Sequence, residues 1–122
     1  MTVTFDSYAW IEYFGGSTQG AKVREIVLGQ EQIYTPALGL VEIKSEYMRE
    51  KKPYDDRINF IIFRSSVVDL NADIALHAAD LMQKEGLHMA DSIIYATARH
   101  TGTELLTGDK HLKGKKGVIF LE

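Results

Sequence analysis

The sequence predicts an α/β fold: a three-layer α/β/α sandwich with a mainly parallel central sheet of about five short strands. Two observations lead to this prediction. Short β-branched or apolar runs alternate along the chain with longer segments whose apolar residues recur at helical spacing. The length of 122 residues allows one sizeable core and is too small for two, so we expect a single domain over residues 1–122.

Turn residues and helix caps divide the first half of the chain. They predict a strand over residues 2–5, a short helix ended by Gly15-Gly16, and a helix capped by Ser17 or Thr18 that runs to about Leu28. A weak strand over 32–34 follows, then a helix opened by Thr35-Pro36 that runs to about Lys51, and a helix over 54–65 with Ile58, Ile61 and Ile62 inside.

The second half continues the alternation. It contains a strand over 67–70, a helix from the Asn71 cap to Lys84 with Ile74, Ala78 and Leu81 inward, and a helix from about residue 89 that ends at Gly102. Strands over 104–107 and 118–121 complete the chain. On the last of the helices, one face is expected to be buried because its small or apolar residues recur at i, i+3, i+4, i+7 and i+8: Ala90, Ile93, Ile94, Thr97 and Ala98.

Three acids lie at ends of these predicted elements. Asp6 follows the first strand, Asp109 follows the strand over 104–107, and Asp91 opens a helix. Because parallel strands end at the same edge of a sheet, where ligands bind in open α/β folds, Asp6 and Asp109 can meet there and Asp91 can face them. A simpler explanation stays open for two of them: Asp6 as a helix N-cap, and Asp91 as an acid at the positive end of a helix.

Glu42 is the acid that helix capping does not explain. It shares one side of the predicted helix over 35–51 with Leu38, Val41, Ser45 and Met48, a pattern that assigns it to the core. A carboxylate there has to be protonated, paired with a lysine or arginine, or bound to a cation. If all four acids converge, their mutual repulsion requires a cation, and an all-oxygen site favours Mg²⁺ or Mn²⁺ over zinc.

Composition excludes several other functions. A net charge of −3 argues against non-specific polyanion binding by the whole surface, so any nucleic-acid contact has to be a local basic patch. The absence of cysteine excludes disulfides, thiol nucleophiles and Cys-bound zinc, and the four histidines show no metal-ligand spacing. No nucleophile elbow or Gly-rich phosphate loop occurs. Without a long apolar run or a signal-peptide pattern, we expect a cytoplasmic protein without a membrane segment.

Four segments together carry a family resemblance: FDSYAWIEYF, TPALGLVEIKSE, MADSIIYATAR and ELLTGDKHLKG. In this order they resemble the PIN-domain ribonucleases, particularly the VapC-like toxins of toxin–antitoxin pairs, over nearly the whole chain. The resemblance implies that Asp6, Glu42, Asp91 and Asp109 bind Mg²⁺ or Mn²⁺ and support hydrolysis of single-stranded or looped RNA. It also implies that the Thr107 hydroxyl orients a metal-bound water. The chain departs from many relatives by having His111 and Leu112 where they have an acid and an aromatic residue.

The resemblance also implies partners: an RNA substrate, a small antitoxin protein that inserts into the active-site groove, and a second copy of the chain. Lys110 and Lys113 lie just beyond Asp109 and are expected to contact RNA. Candidates for an exposed apolar docking surface are Tyr8, Ile11, Tyr13, Phe14, Met48 and Tyr54.

Two other functions compete with the metal-dependent endoribonuclease. One is a non-catalytic PIN-like module that binds RNA or protein; the presence of all four acids weighs against it. The other is a phosphoacceptor domain of receiver type, which would require paired acids after the first strand, whereas Asp6 is followed by Ser7.

Overall fold

A computed structural model describes residues 2–122 of the chain. Within that range the strands are β1 Thr2–Phe5, β2 Gln32–Pro36, β3 Ser66–Val68, β4 Glu104–Thr107 and β5 Val118–Phe120. The α-helices are α1 Ser7–Gly15, α2 Thr18–Val27, α3 Ala37–Arg49, α4 Asp55–Arg64, α5 Ala72–Glu85 and α6 Met89–Thr101. A single 3₁₀ turn, Lys110–Leu112, lies between β4 and β5. None of the helices in residues 2–122 has the length and apolar content needed to cross a membrane.

The five strands form one parallel sheet in the order β3-β2-β1-β4-β5. Each strand therefore ends at the same edge, as predicted. β1 and β4 are neighbours in the middle of the sheet, with Phe5 opposite Leu106. The residues that follow these two strands are thereby brought side by side, although about a hundred positions separate them in the sequence.

Helices cover both faces of the sheet, so the predicted three-layer sandwich is confirmed. Alternate strand residues point to opposite sides. Phe5 and Leu106 belong to the core with Trp10 of α1, whereas Leu105 belongs to a second core with Ile94 of α6. Trp10 is fully buried at the centre of an aromatic cluster, and its indole N–H donates to the Thr35 hydroxyl at 3.0 Å. Each sheet face thus has its own core.

Three predicted helix caps are present. The side chains of Asp6, Ser17 and Asn71 each accept a hydrogen bond at 2.9 Å from the backbone N–H three residues further on. Several boundaries differ from the prediction by one or two residues. Pro36 is the last residue of β2 and not the first of α3, since its proline ring is equally suited to extended backbone. The third strand ends at Val68, before Asp69 and Leu70.

The buried side of α3 was predicted wrongly. The helix turns Gly39, Ile43 and Tyr47 inward, and leaves Val41 and Met48 63% and 55% exposed. Both stripes have helical spacing, so spacing alone could not decide which one contacts the sheet. The same ambiguity made the prediction for Ile62 wrong: it is 51% exposed, whereas its neighbour Ile61 is fully buried.

The helix α6 is buried on more than the predicted face. Ile94, Thr97 and Ala98 are buried as expected, but so are Ser92, Tyr95 and Ala96. The helix lies between the sheet and α5, with which it makes its most extensive contact. Ala96 of α6 and Ala78 of α5 belong to the same buried cluster. The position of α6 fixes that of Asp91 in its first turn.

Candidate functional site

The centre of the site is the edge at which β1 and β4 end. Asp6 follows β1 directly, and Asp109 stands two residues after Thr107, the last residue of β4. Thr107 is fully buried, and its hydroxyl donates a hydrogen bond to the Asp6 carboxylate. The same oxygen accepts from the Asp109 backbone N–H at 2.9 Å. Both hydrogen-bonding functions of the hydroxyl are thus used to position the two acids.

Asp6 is a helix cap and a member of the site at once. Its side chain caps α1 through the Ala9 N–H, yet the residue is only 6% exposed. The pKa of Asp6 is raised to about 7, mainly by burial; hydrogen bonds from Thr107 and Ala9 lower it, and the charges of Glu42 and Asp109 add to the rise. The carboxylate therefore lies in an environment that disfavours its charge.

Glu42 projects from α3 toward the same edge. Its carboxylate accepts a hydrogen bond from the Ser7 hydroxyl at 3.2 Å. Burial raises the pKa of Glu42, the Ser7 hydrogen bond opposes this, and the charge of Asp109 adds to it. In the part of the chain that the structure describes, no lysine or arginine forms an ion pair with Glu42, so the predicted ion-pair alternative is wrong.

Asp91 and Asp109 form a closely interacting pair. Burial, a shared hydrogen bond with Asp109 and the charge of Asp109 raise the pKa of Asp91 to about 6. Burial also acts to raise the pKa of Asp109, but hydrogen bonds from the His111 N–H, Asp91 and the His111 ring outweigh it, so that the pKa of Asp109 is lowered. Of the two carboxyl groups, Asp91 is therefore the one whose pKa is raised and Asp109 the one whose pKa is lowered.

The four acids line one open cavity of about 430 Å³. Its other walls are Ser7, Tyr8, Ile94, Gly108, Lys110, His111 and Leu112. Ligand atoms of Asp91, Asp109 and His111 lie within 4.8 Å of one another, whereas Asp6 and Glu42 face the cavity without joining that group. Across residues 2–122, neither a lysine nor an arginine forms an ion pair with any of the four acids.

The sequence did not predict the contacts that two residues, Ser7 and His111, make with the acids. Ser7 is the hydrogen-bond donor of Glu42, and His111 meets Asp109 and Asp91 at 3.0 and 3.9 Å. Ser7 is adjacent to Asp6 in sequence but has no motif of its own. His111 had a usable signal: a residue two positions after an acid that caps a turn can fold back on that acid.

The two lysines predicted to contact RNA are placed differently. Lys110 lines the cavity. Lys113 lies outside the lining, where its ammonium group is 3.2 Å from Glu122 and 4.8 Å from the centre of the Phe120 ring. RNA contact by either lysine stays a prediction. Lys115, another lysine of this segment, is 2.8 Å from Glu85.

The donor set fits a divalent cation. Oxygen atoms of three aspartates and a glutamate converge on a cavity in which neighbouring carboxylate charges raise the pKa values of Asp6, Glu42 and Asp91, and hard cations prefer such ligands. The fold and the site together define a parallel α/β protein with an acidic cleft at the carboxyl edge of its sheet. The chain belongs to the PIN domain family, whose sequence model matches residues 3–117.

Solved structures with the same fold include several toxin–antitoxin proteins. A toxin–antitoxin complex from Klebsiella pneumoniae superimposes with a TM-score of 0.83 at 23% identity, covering 98% of both chains. VapBC2 from Rickettsia felis, bound to a DNA fragment from its promoter, gives 0.75 at 16% identity over 98% of this chain and 97% of that one. VapC20 from Mycobacterium tuberculosis, a toxin that cleaves the sarcin-ricin loop, superimposes with a TM-score of 0.65 at 14% identity. The match covers 84% of this chain and 86% of VapC20. No curated protein matches the chain by sequence.

Proposed function

We propose that this protein is a Mg²⁺- or Mn²⁺-dependent endoribonuclease and the toxin of a toxin–antitoxin pair. The observation that carries the proposal is the convergence of Asp6, Glu42, Asp91 and Asp109 on one cavity without a lysine or arginine partner among residues 2–122. Four carboxylates with no lysine or arginine among residues 2–122 to neutralise them are costly to the fold, so they are better explained by a ligand than by stability.

The residues of the cavity fall into two roles. The four acids would hold the ion, and when bound it would neutralise them, lower the pKa of a coordinated water and stabilise charge on a phosphoryl group. Thr107 and Ser7 position Asp6 and Glu42 through their hydroxyl hydrogen bonds. Because the single hydroxyl proton of Thr107 is already donated to Asp6, the role proposed for Thr107 is to position carboxylates and not to orient a metal-bound water.

The substrate proposed is an RNA phosphodiester. Hydrolysis adds water across the P–O3′ bond and leaves a 5′-phosphate and a 3′-hydroxyl. Lys110 borders the cavity and would attract the backbone of the RNA, whose negative charge the acids alone would repel. Tyr8 also lines the cavity and offers a ring on which a base can stack.

A protein partner is supported by the surface of α3. Leu40, Val41 and Met48 line a shallow groove of about 530 Å³ together with Lys44 and Ser45. Exposed apolar patches of this kind are typical of sites for protein partners. Several structures with this fold are toxin–antitoxin assemblies, which agrees with an antitoxin as that partner. The homodimer and the cytoplasmic location stay predictions.

The deciding experiment measures cleavage of a labelled single-stranded RNA with Mn²⁺, with Mg²⁺ and with EDTA. Cleavage is expected with either ion and not with EDTA, and Asp91→Asn should abolish it. Asp80→Asn removes an exposed acid from α5 and should cleave as the wild type does. RNA binding without metal-dependent cleavage would instead favour the non-catalytic module.

The toxin assignment has its own test. Expression of the wild-type chain in a bacterial host should arrest growth, whereas expression of Asp91→Asn at the same level should not. Growth arrest by both proteins would contradict the assignment, because toxicity would then be independent of the acids. Normal growth with both would contradict it as well, once the wild type is shown to be folded and to cleave RNA in vitro.

A further inference from the structure

His111 is held over the acid pair by local backbone geometry. The chain enters the 3₁₀ turn Lys110–Leu112 with the Asp109 side chain accepting a hydrogen bond from the His111 N–H at 2.9 Å. This turn directs the imidazole back toward the cavity. Its Nδ1 atom lies 3.0 Å from Asp109 Oδ1 and 3.9 Å from Asp91 Oδ2.

These separations match those between neighbouring ligands of one ion. With metal–ligand bonds of about 2.1 Å, two ligands of the same ion lie about 3 to 4.2 Å apart. Asp91, Asp109 and His111 each offer one atom to a group whose members are all within 4.8 Å. His111 Nδ1 and Asp109 Oδ1 are hydrogen-bonded, and a cation bonded to both atoms can replace the proton between them.

The stability of the fold does not explain why His111 lies against the two acids. The His111 side chain is 66% exposed, and an exposed ion pair of this kind contributes little to folding. The ring is nevertheless oriented, because His88 packs edge-on against it with the ring centres 5.7 Å apart. The side chain is therefore accessible to solvent ions and directed at two carboxylates.

We propose that His111 Nδ1 is a direct ligand of the ion held by Asp91 and Asp109, and that this nitrogen makes the site prefer Mn²⁺ to Mg²⁺. The inference rests on the metal site of the proposed function and specifies its ligands and its ion. Mg²⁺ strongly prefers oxygen ligands, whereas imidazole nitrogen suits transition-metal ions. The all-oxygen site expected from the sequence is thereby replaced by a mixed nitrogen and oxygen site.

The test is spectroscopic and needs no RNA. In electron spin-echo envelope modulation of the Mn²⁺ complex, a directly bound imidazole gives a ¹⁴N modulation. We expect this modulation in the wild type, its loss in His111→Ala and its retention in His77→Ala, a control at an exposed histidine of α5 that does not line the cavity. Absence of the modulation in the Mn²⁺-loaded wild type, its persistence in His111→Ala, or failure of the wild type to bind Mn²⁺ would each overturn the proposal.

Affinities give a second measurement. Mn²⁺ is titrated by its free-ion resonance signal and Mg²⁺ by competition. In His111→Ala the ratio of Mn²⁺ affinity to Mg²⁺ affinity should fall roughly tenfold, because loss of a side chain that supports a metal site commonly lowers metal affinity by at least that factor. His111→Asp, which restores an all-oxygen set, should bind Mg²⁺ better than His111→Ala does. An unchanged preference in His111→Ala would contradict the proposal.

The outcome is separable from that of the nuclease assay. Nitrogen modulation in a protein that does not cleave RNA would support His111 as a ligand and contradict the proposed function. RNA cleavage by a protein whose Mn²⁺ complex shows no nitrogen modulation would support the function and overturn this inference.

Discussion

The Thr107 hydroxyl donates a hydrogen bond to the carboxylate of Asp6, a residue 101 positions away in the sequence. The bond crosses from β4 to the residue that follows β1, and both of its ends are buried. Because the same hydroxyl accepts from the Asp109 backbone N–H, it couples the positions of two of the four acids. The consequence can be tested by removing the hydroxyl and keeping the shape of the side chain.

Thr107→Val is expected to lower RNA cleavage by about 10- to 100-fold, as loss of a residue that orients metal ligands commonly does. Since the Thr107 hydrogen bond lowers the pKa of Asp6, the variant should also need a higher pH to reach its maximal rate. The measurement is the pH profile of kcat with Mn²⁺. Thr107→Ser retains the hydroxyl and should restore most of the rate; equal losses in the two variants would indicate a packing role.

The buried charge of Asp6 should make stability depend on pH in the metal-free protein. Its pKa is about 7 in the folded chain against 3.8 for an ordinary aspartate, so the folded state binds this proton more tightly than the unfolded state does. The contribution of Asp6 to stability is therefore fully present below about pH 4 and lost as the pH rises toward 7. Asp6→Asn lacks this dependence.

Thermal unfolding in EDTA at pH 5 and pH 8 measures the effect. The measured quantity is the Tm of Asp6→Asn minus the Tm of the wild type. This difference should be more positive at pH 8 than at pH 5. Excess Mn²⁺ should then raise the Tm of the wild type more than that of the variant. For the exposed control Asp80→Asn, the difference in Tm from the wild type should be the same at both pH values. If the difference for Asp6→Asn were also the same at both pH values, Asp6 would not have a raised pKa.

Metal binding should release protons. Asp6 and Asp91, with pKa values of about 7 and about 6, retain protons near neutral pH that a cation displaces. Calorimetric titration with Mn²⁺ at pH 6 in two buffers of different ionisation enthalpy should give different apparent enthalpies. The affinity should rise, and the buffer dependence fall, between pH 6 and pH 8. Identical enthalpies in both buffers at pH 6 would contradict the proton linkage.

Two helical glycines should respond oppositely to alanine. A Cβ at Gly20 in α2 would lie 2.1 Å from the Glu12 carbonyl oxygen of α1, so Gly20→Ala should destabilise the protein by about 1–3 kcal/mol. At Gly39 in α3 the nearest atom, Thr35 Cγ2, is 3.8 Å away. Gly39→Ala should therefore be neutral or stabilising by up to about 1 kcal/mol through helix propensity. Urea denaturation measures both, and destabilisation by Gly39→Ala would contradict the second.

The Tyr8 ring occupies the space that a side chain at residue 108 would need. A Cβ at residue 108 would lie 2.0 Å from Tyr8 Cε1, so Gly108→Ala should displace the ring from the cavity wall and cost about 1–2 kcal/mol of stability. In a Tyr8→Ala background the same substitution should cost almost nothing. A double-mutant cycle measures the coupling. Equal costs in the two backgrounds would show that the ring is not the obstacle.

The fold was predictable because its signals are local. The caps at Asp6, Ser17 and Asn71 and the alternation of short strands with helices needed no knowledge of distant residues. The buried side of α3 was not predictable in this way, because Val41 and Ile43 belong to two stripes of equal periodicity. Only contact with the sheet selects one of them.

The sequence by itself determined the type of fold and which acids line the cavity. Each of the four lies at the end of an element or on a helix whose position follows from that fold, so their convergence could be expected. The tertiary structure decided how they are held. The hydrogen bonds of Thr107 to Asp6 and of Ser7 to Glu42, and the approach of His111 to Asp91, are made across space. Distances of this kind depend on the packing of elements remote in sequence, which no local pattern of residues encodes.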